Sequence, residues 1–220
     1  MAVIRTERGL DRLVNFSDGT VAIALTLLVL PLVDLLTDGS EYSISSLLND
    51  DGQTFFAFAI SYVVIASFWE GHHRVFEHLS DYSRAMLWAN FLWLASIVLI
   101  PFTTQLLADQ GTNDPAVNAL YISTMIVTTG SLLLIEWLAV RDPQLQRAEV
   151  RGTLDIRGAA LALVLLLTAL VLVVVVPAVG MFWLFLLFLS NPLERIARRR
   201  SGRGSGRGSG RETTHGRPDG

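Results

Sequence analysis

The chain has 220 residues, 51% of them hydrophobic, a formal net charge of −3 and no cysteine. A mean hydropathy of +0.47 is too apolar for an ordinary soluble domain. The missing cysteine excludes disulfides, thiolate metal sites, cysteine nucleophiles and prenyl or palmitoyl anchors. All 17 basic side chains are arginine, so where they fall matters more than the net charge.

The first apolar run covers about Val14–Leu36. It is long for a signal-peptide core, carries Asp18 near its start and has no small-residue cleavage site before Pro31, so it is expected to be retained as a helix. Ala2 follows the initial Met where myristoylation uses glycine. Five more runs follow: about Thr54–His72, Ala85–Leu107, Ala116–Val140, Gly158–Val176 and Ala178–Leu193. Most approach the roughly 20 residues a bilayer core requires. Pro177 and Gly180 separate the last two, favouring a tight hairpin over one long helix.

The connecting segments set the topology. Arg5, Arg8 and Arg12 precede the first span, Arg74 and Arg84 follow the second, and Arg141, Arg147, Arg151 and Arg157 follow the fourth. The alternate loops lack arginine and carry Asp38, Glu41, Asp50, Asp51, Asp109 and Asp114. Six spans place every arginine on one side, the positive-inside pattern, with both termini cytoplasmic. The fold class is therefore all-α and polytopic. Residues 1–193 form a six-helix membrane domain. An Arg/Gly/Ser-rich tail over 194–220 is expected to be disordered, because it cannot bury a core. Arg198, Arg199 and Arg200 are placed to rest on anionic headgroups, and no nucleic-acid partner is expected. Trp69, Trp88 and Trp137 sit near span ends, as interfacial anchors do.

Polar groups at membrane depth are the places to look for function, because they are costly there. At 100° per residue, Ile23, Leu27, Leu30 and Asp34 share one stripe of the first helix, with Thr26 at its edge. Asp18 points nearly opposite Ile23, so the two are expected to do different jobs. Lipid contact and helix packing remain open readings of the apolar stripe. The second span ends Trp69-Glu70-Gly71-His72-His73-Arg74, level with Asp18, and offers it hydrogen-bonding and cationic partners. Asn90 in the third span lies at the same depth, and Pro101 can kink that span near its other end. Glu136 reads as an interfacial acid. Adjacent histidines diverge by about 100° and share a metal poorly. No HExxH motif or second ligand cluster appears, so neither a metal site nor a cofactor is expected. No nucleophile–base pair appears either, which argues against an intramembrane enzyme.

Arg12, Phe16, Ser17 and Asp18 form an R-x-x-x-F-S-D run, followed by Ala24-Leu25-Thr26-Leu27-Leu28-Val29-Leu30, Trp69, His72-His73-Arg74, Asn90 and Pro101-Phe102-Thr103. These resemble the transmembrane protein 175 family, the endosomal and lysosomal potassium channels and their prokaryotic relatives, over about residues 8 to 107. A single set of six spans is similar to the prokaryotic form. The resemblance implies a homotetramer in the cell membrane whose first helix lines a central pore for potassium. Ile23, Leu27 and Leu30 would then form stacked apolar rings, Thr26 a hydroxyl ring beside them, and Asp34 the outer mouth. Arg12, Phe16, Ser17, Asp18, Trp69, His72, His73, Arg74 and Asn90 would brace the pore helix. The TVGYG filter of ordinary potassium channels is absent; Val127-Thr128-Thr129-Gly130-Ser131 only echoes it. The competing reading is a proton- or cation-coupled transporter using Asp18 with His72 and His73.

Overall fold

A computed structural model describes residues 7–35, 52–110 and 114–175. The expected span Ala178–Leu193, the Pro177–Gly180 turn and the 194–220 tail lie outside these residues. The described part is all-helical: α1 (Glu7–Leu27), α2 (Leu30–Asp34), α3 (Gly52–Glu77), α4 (Arg84–Gln110), α5 (Pro115–Arg141) and α6 (Arg157–Val175). Taking α1 with α2 as one span, five helical segments are long and apolar enough to cross a membrane.

The first span is not one straight helix. Pro31 has no N–H, so the Leu27 carbonyl loses its helical donor, and the proline ring crowds that same carbonyl. The backbone tightens at this point: Val29 N–H reaches Thr26 O at 3.2 Å, and the helix restarts where Val33 N–H reaches Val29 O at 3.1 Å. By contrast α4 runs unbroken through Pro101. Asp114 caps α5, its carboxylate accepting from Ala116 N–H at 2.8 Å, ahead of Pro115 in the first helical turn.

The helices pack in an antiparallel series. α5 lies mainly against α4 and α6, while α1 rests on α4 and α3. Trp93, Ile97, Ile100, Ile65 and Ile135 are fully buried at the centre. Hydroxyls tie the bundle where lipid would offer no partner. Thr104 donates to Ser61 at 2.7 Å, Ser61 pairs with Tyr121 at 3.0 Å, and Thr128 donates to Ser96 at 2.9 Å.

One end of the bundle is clasped by two loops. Ser80 N–H donates to Leu145 O at 2.9 Å and Arg147 N–H to His78 O at 2.9 Å. The Arg147 Nε–H reaches Leu79 O at 3.1 Å. Gln146, buried at the joint, donates to Ala139 O and accepts from Gly152 N–H, the residue with a positive φ of 79°. Leu10 and Asp11 of α1 border a cavity of about 420 Å³ with Ser80, Arg147 and Glu149, so the start of α1 lies at this same end. Every arginine among the described residues (Arg8, Arg12, Arg74, Arg84, Arg141, Arg147, Arg151 and Arg157) therefore belongs to one end of the bundle.

Gly71 lets α3 approach α5: a Cβ there would sit 3.3 Å from Leu132 Cδ2. Gly71→Ala needs only a small shift of that side-chain tip, whereas Gly71→Leu must part the helices. We expect Gly71→Leu to lower stability by about 1–3 kcal/mol and Gly71→Ala by much less. Thermal unfolding in detergent checks this, and equal midpoints for the two variants would contradict it.

Candidate functional site

The first helix has two faces. Leu10, Leu13, Ser17, Val21, Ala24 and Leu28, spaced in steps of three and four, are buried against the chain's own helices. Ile23 (61% exposed), Leu27 (37%) and Leu30 (54%) are uncovered by the chain itself. Thr26 is exposed beside them, its hydroxyl donating to Ile23 O at 2.7 Å. Asp34 is exposed at the end of α2. The stripe singled out by periodicity is thus exposed along its length, although α1 and α2 part between Leu27 and Leu30.

What holds the other face is a buried hydrogen-bonded chain. Ser17 Oγ–H donates to Leu13 O at 2.9 Å, and Asn90 Nδ2–H donates to Ser17 Oγ at 2.9 Å. The Asn90 Oδ1 contacts His72 Nε2 at 2.7 Å, so His72 carries its proton on Nε2 and donates. Ser17, Asn90 and His72 are each fully buried. The His72 ring is stacked between Phe76 (4.2 Å) and Trp93 (4.1 Å). Its Nδ1 has no hydrogen-bond partner, so a second proton there would find no acceptor. One residue from each of three helices is thereby joined in register.

Asp18 lies one residue on, and its partner differs from the expected histidines and Arg74. Trp69 Nε1–H donates to Asp18 Oδ1 at 2.8 Å. The reason is helical phase: Trp69 and His73 lie on one face of α3 and stack at 5.2 Å, while His72 turns about 100° into the core. His73 and Arg74 instead pair along their own helix, His73 with Glu77 at 3.2 Å and Arg74 with Glu70 at 2.6 Å. Both pairs are largely exposed and worth little on their own. Trp69 therefore does more than anchor at an interface.

Arg12 and Phe16 do not join the buried chain. Phe16 is 55% exposed and meets the edge of Phe91, ring centroids 6.2 Å apart. Arg12 is exposed, with no side-chain hydrogen bond or ion pair among the described residues. The R-x-x-x-F-S-D run thus divides, Ser17 and Asp18 fastening the helix and Arg12 and Phe16 lying free. The Ser61–Thr104–Tyr121 and Ser96–Thr128 clusters were missed in the sequence. Their signal was small hydroxyl residues recurring inside apolar runs at helical spacing. Among the described residues no three His, Asp or Glu side chains gather as a metal site.

Asn90→Ala leaves the His72 Nε2–H donor without its buried acceptor and removes the donor to Ser17. Asp18→Asn retains a carbonyl oxygen for Trp69. We expect Asn90→Ala to cost about 1–2 kcal/mol and Asp18→Asn distinctly less. Chemical denaturation in detergent measures both, and a larger loss for Asp18→Asn would overturn this ranking.

Comparison with known proteins bears on this geometry. Residues 12–101, which hold the whole buried chain, match the family described as the endosomal/lysosomal potassium channel TMEM175. A potassium channel of Streptomyces collinus is 29% identical over 150 residues, spanning 64% of this chain and 72% of the relative. An endosomal/lysosomal proton channel TMEM175 of Gallus gallus is 31% identical over 132 residues, 56% of this chain but 26% of that protein's length. Among solved structures, a lysosomal potassium-selective channel TMEM175 homolog from Chamaesiphon minutus superposes with a TM-score of 0.63. It is 23% identical, with 84% of this chain and 99% of that one covered, a likeness of fold. The segment that carries the buried Ser17–Asn90–His72 chain is thus the part of the protein that is similar to the TMEM175 channels.

Proposed function

We propose that the protein is a potassium-selective channel of the cell membrane. In this reading four copies surround a central pore lined by α1. The carrying observation is the exposed face of the first span: Ile23 and Leu27 of α1 and Leu30 of α2 are uncovered while the opposite face of α1 is packed within the chain. The naming of the bacterial relative as a potassium channel supports the same reading. The gathering of the described arginines at one end supports a cytoplasmic N-terminus. Six spans and the cytoplasmic tail complete the proposed topology.

The mechanism follows from hydration. A ring of apolar side chains offers no oxygen to replace lost water. Potassium gives up its hydration more readily than sodium, so a constriction that forces dehydration favours potassium. Small inward movement of such rings empties the constriction of water and closes it. Ile23 is the first ring of the stripe, Leu27 and Leu30 the next, with the Thr26 hydroxyl at the edge. Asp34 stands at the outer mouth, where acidic groups raise local cation concentration. No cofactor takes part; potassium is the permeant species.

A second reading, proton passage or proton-coupled transport, is favoured by the naming of the vertebrate relative as a proton channel. In that reading Asp18, His72 and His73 would carry the coupling. Proteoliposomes holding either a potassium or a proton gradient separate the two. We expect passive potassium flux exceeding sodium flux, and flux that is strictly proton-coupled would contradict the channel reading. We further expect Ile23→Asn, which wets the ring, to raise conductance or sodium entry several-fold in single-channel recordings. Unchanged permeation in both Ile23→Asn and Leu27→Asn would remove the proposed gate.

A further inference from the structure

Arg12 stands eleven residues before Ile23 in the unbroken helix α1. Eleven residues advance about 1100°, three turns and about 20°, over a rise of about 16 Å. Arg12 therefore lies on the same face as Ile23, at the arginine-rich end. Phe16, Gly19 and Ile23 continue that face, and all are exposed. Nothing nearby neutralises the guanidinium among the described residues. Asp11, the adjacent carboxylate, lies about 100° round the helix and borders the cavity with Ser80, Arg147 and Glu149. The Asp18 Oδ1 accepts from Trp69, on nearly the opposite face from Ile23. Glu70 and Glu77 pair with Arg74 and His73.

We infer that Arg12 forms a ring of fixed positive charge in the inner vestibule and makes the channel pass potassium more easily inward than outward. The inference rests on the reading that α1 lines the pore and that the arginine-rich end is cytoplasmic. Outward current begins with a cation entering past this ring, where repulsion lowers its local concentration. Inward current begins at the other mouth and is spared. For a ring radius of about 10 Å, four charges screened at about 0.1 M salt deplete a monovalent cation about threefold. At about 1 M the Debye length falls to about 3 Å and the effect disappears. The ring acts on entry rate and leaves the potassium-to-sodium ratio, set at the apolar constriction, unchanged.

The test uses inside-out patches, which keep the orientation fixed, in symmetric KCl. At about 0.1 M, inward current at equal and opposite voltages should exceed outward current about threefold, and at about 1 M the ratio should approach one. Arg12→Lys should keep the asymmetry and Arg12→Gln should abolish it. The chain has no cysteine, so Arg12→Cys offers a single thiol for modification after assembly. A cationic thiosulfonate applied from the cytoplasmic side should restore the asymmetry, and an anionic one should reverse it. Asymmetry in the wild type that ignores salt, or in Arg12→Cys that ignores the sign of the reagent, would overturn the role of Arg12 while leaving the channel reading intact. Absence of any potassium current in the wild type would overturn both.

Discussion

The hydrogen-bonded chain from Ser17 through Asn90 to His72 is the constraint on which the rest of the structure depends. Three polar groups are carried into a helix bundle where water is not available to satisfy them. Each is satisfied only when α1, α3 and α4 hold one register and one rotation, because a slip of one residue turns a side chain by about 100°. Apolar packing alone would tolerate such a slip, since lipid tails are as apolar as leucine. The polar chain makes the rotation of α1 specific. The stacking of His72 between Phe76 and Trp93 fixes the third member from both sides.

That specificity decides what the free face of α1 presents. With Ser17, Val21, Ala24 and Leu28 turned inward, Arg12, Phe16, Ile23, Leu27 and Leu30 are left outward as a matter of helical phase. One short motif thus has two roles. Its last two residues attach the helix to the rest of the chain, and its first two stand on the surface offered to whatever surrounds it. The break after Leu27, imposed by Pro31, lets α2 follow a different direction from the part held by the polar chain.

Much of this was legible in the sequence. Runs of apolar residues located all five described spans, because a bilayer core demands them. Hydropathy reports the lipid slab rather than the helix, which is why α3 continues five residues past His72 and α1 begins seven before Val14. The break at Leu28–Val29 was signalled by Pro31, but a proline in a membrane span can also be absorbed without interruption, as Pro101 is in α4. The depth of the polar groups followed from topology. Their azimuth on α3 did not: Trp69, His72 and His73 fall within about one turn of α3 at the depth of Asp18, and the packed bundle shows Trp69 facing it.

If α1 lines a pore, as proposed, its fastened rotation turns Ile23 toward copies of itself across a symmetry axis. Thiol cross-linking in intact membranes tests it directly, because the chain contains no competing cysteine. With a short thiol cross-linker, Ile23→Cys should give covalent dimers, while Val21→Cys, buried within the chain at 2% exposure, should give none. Ile23→Cys remaining monomeric while Val164→Cys on the exposed side of α6 cross-links readily would contradict the account.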